Sequence, residues 1–288
     1  MIKIYDKILI SLLCIPKVGN KKALDFLKTV NEDIQNVDDL YNKIKLNSEK
    51  GIKFPEVSKD QIRDCFEKAN LIINKSLDLG HKILTINCDD FPKRIKSIDN
   101  PPLILFAKGN VQALNSERCI AVIGKREPSE YGLNASFKIG SDLAKLSTTV
   151  VSGLASGCDA GAHKGCVSEQ GIGIGVLAHG LDMIFPSSSK FIADELIEKN
   201  GLLITEYFIG TKPTKYNFVD RDRIQSGISD IIFVIETAIK GGTMHTVEHS
   251  IKQNRNLICL DFPEEAYLNG IAEGNKKLIK EKKACSFL

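Results

Sequence analysis

The chain has 288 residues, 43% of them hydrophobic, and a formal net charge of +3. That length admits one large domain or two modest ones, and that apolar fraction excludes a disordered chain. So small a charge excludes a generic polyanion binder, and any nucleic-acid contact has to come from a local patch.

Taken in chain order, residues 1–78 read as a helical domain, because apolar positions recur at helical spacing over 8–14, 23–27 and 62–73. Asp6 and Lys7 break the apolar character of the first residues, and no run reaches bilayer-spanning length, so no signal peptide and no membrane partner are expected. Within this domain "CIPKVGNKKALDFL" has the form of a helical hairpin whose turn carries Pro16, Val18 and Gly19. It resembles the helix-hairpin-helix motif, in which turn amides hold a nucleic-acid phosphate, with Lys17 where a second glycine usually stands. The polar segment 43–59 reads as a loop.

Residues 79–288 read as a second domain. A short strand is expected at 83–86 and another at 103–106. Pro92, Pro101 and Pro102 impose an extended connector between them. From Arg118 onward strand, turn and helix repeat. Strands are predicted at 120–123, 148–152, 174–178, 202–205, 231–235 and 257–260, and helices at 133–146, 160–169, 191–199 and 244–253. Most of the strands are continuous apolar runs, as in sheets covered on both faces. The fold class is therefore α/β: a Rossmann-like, doubly wound, mostly parallel sheet with a small helical N-terminal domain. Ligands of such sheets sit outside the carboxyl ends of the strands. The tail from Asn275 reads as a basic amphipathic helix with a solvated face.

The strand ends carry the chemistry. Gly124-Lys125-Arg126, Ser152-Gly153, His179-Gly180 and Gly241-Gly242-Thr243 each follow a predicted strand. Small residues at helix starts leave backbone N–H groups free for an anion, and the Arg126 fork matches phosphate geometry. "TKYNFVDRDRIQSGISD", read as a loop, is the second basic element. Arg221 and Arg223 bracket Asp222, with Tyr216 and Phe218 just upstream. Cations with rings suit a single-stranded nucleic acid, while an Arg–Asp pair with Phe218 in the core is the structural alternative. Gly153, Gly157, Gly161 and Gly165 recur every four residues, a pattern for close helix packing and not G-x-G-x-x-G. Asp159 and His163 read as a hydrogen-bonded structural pair, and His245 and His249 flank Glu248 beside the last glycine turn. There is no P-loop and no nucleophile system. The eight cysteines are scattered without a C-x-x-C, which points to free thiols in a reducing cytoplasm. No metal and no cofactor are expected.

Six ordered segments between Phe91 and Ala284 resemble the DNA-processing protein A (DprA/Smf) family: "FPKRIKSIDNPPLILFAKGN", "VIGKREPSEYG", "VVSGLASGCDAGAHKG", "HGLDMIFPSSS", "RDRIQSGISDIIFVIE" and "GNKKLIKEKKA". The resemblance implies a non-enzymatic single-stranded DNA binder that protects strands and assists loading of a RecA-type recombinase in transformation or recombination. It implies DNA-phosphate contacts at Gly124, Arg126, Ser152, Gly153, Arg221, Arg223, Gly242 and Thr243, with Phe218 as a stacking ring, and a homodimer; the strand-end reading adds Lys125 and Gly241 to these contacts. Three positions depart from the family pattern. Lys125 replaces a small hydroxyl residue, Asp222 replaces an asparagine, and Met244-His245 interrupts the glycine turn. That last segment also partly resembles the LOG nucleotide hydrolases. The alternative is thus a nucleoside-monophosphate N-glycosidase, or a nucleotide sensor, with Glu248 as the acid–base.

Overall fold

A computed structural model describes residues 3–29, 34–49 and 54–287. The chain divides into two compact units, one running to Phe91 and including Asn100–Phe106, the other made of Pro92–Asp99 and everything from Ala107 on.

The first unit is built of four helices, α1 (Ile4–Cys14), α2 (Asn20–Thr29), α3 (Val37–Glu49) and α4 (Lys59–Asp78), followed by strand β1 (Lys82–Thr85). A reciprocal cap starts α4: Gln61 N–H donates to Ser58 Oγ at 3.2 Å, and Ser58 N–H donates to Gln61 Oε1 at 2.8 Å. Ile62, Cys65, Phe66, Ala69, Ile72 and Ile73 make its buried stripe, which packs against α1. The loop expected at 43–59 is helical up to Glu49. Leu40, Ile44 and Asn47 form a narrow buried stripe that the polar composition hides, and residues 50–53 lie outside the described residues. Between α1 and α2, Lys17 adopts a left-handed φ of 66°, the conformation that favours glycine.

The second unit begins with the short α5 (Lys93–Lys96), and β2 (Ile104–Gly109) leads the chain into it from the first. Then come β3 (Cys119–Ile123), α6 (Glu130–Lys145), β4 (Thr149–Ser152), α7 (Cys158–Ser168), β5 (Gly173–Val176), α8 (Lys190–Glu198), β6 (Leu202–Thr205), α9 (Lys215–Ile228), β7 (Ile231–Val234), α10 (Thr243–Lys252), β8 (Asn256–Leu260), α11 (Glu264–Leu268), α12 (Glu273–Lys280) and β9 (Cys285–Phe287). Seven strands pair in parallel in the order β6-β5-β4-β3-β7-β8-β9. Strands β4, β5 and β6 are buried along their whole length. Each Val, Leu or Ile so enclosed contributes about 1.5–3 kcal/mol. This is the Rossmann-like, doubly wound sheet that the sequence predicts.

The chain winds outward from β3 to β6, then returns to pair β7 on the other side of β3. Helices α6 to α8 pack in sequence against one another and α9 packs against α10, two groups that the right-handed crossover rule assigns to opposite faces. The reversal between β3 and β7 is the topological switch point, where such folds hold ligands. Helices α6 and α7 pack closely: a side chain at Gly165 would run into the Phe137 carbonyl, and one at Gly140 into the Ala162 carbonyl. Only Gly161 and Gly165 of the four-residue glycine series lie on this helix. Gly153 and Gly157 precede α7.

Two elements of the second unit also differ from expectation. The segment read as a basic loop is the fourteen-residue helix α9, opened by Thr214, whose Oγ1 accepts from Asn217 N–H at 3.2 Å. The C-terminal helix stops at Lys280, because Lys282 turns left-handed at φ 54° and Lys283 N–H folds back on the Leu278 carbonyl at 2.9 Å. The tail then pairs with β8 as β9, where Phe287 meets Phe233 edge-on at 5.2 Å. No helix among the described residues is long and apolar enough to cross a membrane.

Candidate nucleic-acid interface

A pocket of about 700 Å³ opens at the switch point of the second unit. Its walls come from the turn after β3, the start of α7, Phe185 from the loop before α8, the first three turns of α9, and the segment from Thr237 into α10. That volume suits one nucleotide-sized ligand.

The β3 turn is tightly built. Lys125 N–H donates to the Glu236 carbonyl at 2.8 Å, and Cys158 N–H donates to the Lys125 carbonyl at 3.1 Å. A side chain at Gly124 would collide with Cys158 Sγ. Gly157, at φ 76°, lies against the Lys125 and Arg126 carbonyls, where a Cβ would not fit. Glu236, 1% exposed after β7, accepts from Lys125 Nζ at 2.9 Å and from Ser129 N–H and Oγ at 3.0 and 2.6 Å. Lys125 thus serves as counter-ion to a buried carboxylate, which spends much of the charge expected to meet phosphate.

Arg126 is exposed, and its guanidinium lies over the Phe218 ring at 4.7 Å. Phe185 meets that ring in turn at 6.0 Å between centroids, and it also lines the pocket. Phe218 is accordingly the platform of Arg126 before it is a platform for a base. Lys215, at the first position of α9, is exposed on the same pocket. Among the described residues neither Arg126 nor Lys215 is ion-paired with a carboxylate.

The two arginines of α9 part company. Residues i and i+2 of a helix point about 200° apart, so Arg221 and Arg223 cannot share a surface as they would in an extended loop. Arg221, 4% exposed, reaches under the β4 turn into the space a Gly153 side chain would take, and donates to the Val176 carbonyl at 2.6 Å. Its Nε lies 3.4 Å from Asp222 Oδ1. Arg223, also 4% exposed, is gripped by both oxygens of Glu206, with the second contact at 2.6 Å, and donates to the Asp220 carbonyl at 2.8 Å. It does not line the pocket, and its donors are occupied by an acid.

The β4 turn is closed on itself as well. Ser152 Oγ donates to the Val122 carbonyl at 2.7 Å, and Gly153 N–H donates to Asp159 Oδ2 at 3.0 Å. Asp159 therefore binds turn amides instead of pairing with His163. Burial pushes the Asp159 carboxyl up against the pull of Arg221, and it pushes His163 down to about 4, which keeps that imidazole neutral. The Asp222 carboxyl rises to about 6 through burial, again against Arg221.

Gly241, Gly242 and Thr243 do line the pocket, at the start of α10, where no side chain caps the helix. His245 and Thr246 follow them on the wall. Glu248 is exposed and lies outside the lining. Glu236, Phe185, Lys215 and Gln225 belong to the site and are absent from the sequence-based set. Only Glu236 had a visible signal, as an acid closing an apolar run.

The sequence matches the family described as DNA recombination-mediator protein A over residues 82–287. DNA processing protein DprA of Bacillus subtilis is 31% identical over 202 residues, which cover 70% of this chain and 68% of that one. Protein Smf of Synechocystis is 34% identical over 208 residues, covering 69% of this chain and 52% of its own. The chain thus spans about two-thirds of the first and half of the second. DprA of Streptococcus pneumoniae shares the fold with a TM-score of 0.78 at 24% identity, over 99% of this chain and 93% of that structure. A structure of DprA from Helicobacter pylori, described in terms of its single-stranded DNA binding mode, aligns with a TM-score of 0.64 at 26% identity, over 72% of this chain and 90% of its own. With the match running from β1 through β9 and enclosing every wall of the pocket, this chain belongs to the DNA recombination-mediator protein A family, whose members are named DprA or Smf.

Proposed function

We propose that the protein binds single-stranded DNA at this pocket without catalysing a reaction on it, and that it serves DNA recombination or transformation in the cytoplasm by protecting strands and assisting a RecA-type recombinase, as a homodimer. The observation that carries the binding is Arg126, an exposed guanidinium fixed on an aromatic ring at the carboxyl end of β3 and without a carboxylate partner among the described residues. Phosphates lie along the rim formed by Gly124, Arg126, Lys215 and the α10 start at Gly241, Gly242 and Thr243. Lys125, Ser152, Gly153 and Arg221 act beneath that rim as its support, and Arg223 holds α9 to Glu206. The hydrolase alternative needs Glu248 in the pocket, and its absence from the lining supports the binding reading over that one.

The test is fluorescence anisotropy of a labelled oligonucleotide across a salt series. Affinity falls as salt rises, and Arg126→Ala weakens binding by about 10-fold, as expected for one charge-assisted phosphate contact. Binding indifferent to salt, or unchanged in the variant, overturns the proposal.

A further inference from the structure

Arg126 lies on one ring, and that ring is backed by a second. Phe218 carries the guanidinium at 4.7 Å, and Phe185 meets Phe218 at 6.0 Å between centroids with the ring planes tilted by 48°. Phe185 is 45% exposed and sits in the connection between β5 and α8, outside any helix or strand. Its backbone is held by His179, near the start of the same connection and off the pocket wall.

Phe185 N–H donates to His179 Nε2 at 3.2 Å, and Nδ1 of that ring meets the Gly180 carbonyl at 2.9 Å. A backbone N–H can only donate, so Nε2 carries no proton and Nδ1 carries the one given to the carbonyl. The imidazole, 1% exposed, is therefore neutral, with both nitrogens occupied. Burial holds it below its usual 6.5, and Arg221 of α9 adds to this, against the pull of the Gly180 carbonyl and of Asp182 in the same connection.

The backbone around the ring is tied down separately. Gly180 N–H donates to the Thr211 carbonyl at 3.0 Å, and Asp182 Oδ1 accepts from Gly210 N–H at 2.9 Å. A side chain at Gly180 would strike the Phe208 carbonyl. All three partners lie between β6 and α9, the helix that bears Phe218. His179 thus stands on a base already tied to the approach to α9, and from there it reaches Phe185.

We propose that His179 is a positioning residue for the strand-binding cation: as a hydrogen-bond acceptor it sets Phe185 against Phe218, and so Phe218 beneath Arg126. This rests on the single-strand reading above and adds to it a residue that touches no DNA. An apolar side chain at 179 fills the space and accepts nothing. A glutamine there brings an amide oxygen to the region of Nε2 and stays neutral.

The test is fluorescence anisotropy of a labelled oligonucleotide with the full chain at neutral pH. His179→Leu is expected to weaken binding about fivefold, and so is Phe185→Leu, which keeps the N–H and loses the ring. The double variant should also stay at about fivefold, because both changes act on one series of contacts. His179→Gln should bind within about twofold of the wild type. In an Arg126→Ala background His179→Leu should change affinity by less than about twofold, whereas a general loss of structure would weaken both backgrounds alike. Thermal melts check the fold of each variant, and if His179→Leu does not fold, His179→Ala takes its place. Wild-type affinity in His179→Leu, an equal loss in His179→Gln, or an undiminished effect without Arg126 overturns the positioning role alone. Absence of binding by the wild type overturns the single-strand reading and this role with it.

Discussion

Arg221, Asp222 and Arg223 are consecutive in the chain, and the helix sends each to a different task. Arg221 braces the β4 turn, Asp222 faces the pocket, and Arg223 locks α9 to Glu206. The energetic consequence is sharpest at Asp222. Four groups face it: Arg221 on its own helix, Asp159 on α7, and His245 and Thr246 on α10. Burial, with the Asp159 carboxylate beside it, outweighs Arg221 and its other neighbours and lifts its carboxyl from the usual 3.8 to about 6. The folded state therefore holds this proton more tightly than the unfolded chain does. The stability it contributes is complete below about pH 4 and is lost as pH rises through about 6. An isosteric amide carries no such penalty. Asp222→Asn should match the wild type near pH 4 and exceed it at pH 8 by about 2–3 kcal/mol, read from urea unfolding at the two pH values. A wild type at least as stable as the variant at pH 8 contradicts this account of the burial.

At the scale of elements, legibility follows what each one buries. Strands β3 to β8 were readable because most of their residues are covered on both faces, so they appear as largely apolar runs. Helix α9 was not, because its second half is buried nearly all round and carries Arg221, Arg223, Gln225, Ser226 and Gly227, and periodicity cannot register a polar interior. The same blindness affected the site. The turns and glycines could be placed from spacing, but which cations are free depends on Glu206 and Glu236, which reach Arg223 and Lys125 from 17 and 111 residues away. The α6–α7 crossing lies at the readable end, since small residues at four-residue spacing announce it. There Gly165→Leu should cost about 2–4 kcal/mol by forcing the helices apart at the Phe137 carbonyl, measured as a fall in the urea midpoint. A midpoint unchanged from wild type shows that the crossing tolerates a side chain.

For the molecule as a whole, charges of the two signs nearly cancel. The chain carries only +3 overall, and Arg126 and Lys215, unpaired with carboxylates among the described residues, mark the rim. A plot of log affinity against log salt should accordingly have a slope of about −1.4 for two neutralised phosphates on a single strand, not the steep value of a broad basic surface. A slope several times larger would mean that the interface extends well past this pocket. The second unit also ties its own end to the site: Asn275 of α12 donates to the Ile235 and Leu260 carbonyls at 2.8 and 2.9 Å and accepts from Thr237 N–H, beside the pocket wall.

The seating of Arg126 on Phe218 has one more effect. Because the ring belongs to α9, the cation that follows β3 is registered against a helix and does not swing freely on its own stem. On the single-strand reading proposed above, a phosphate meets a guanidinium whose freedom is already curtailed, so less ordering is lost when the strand arrives.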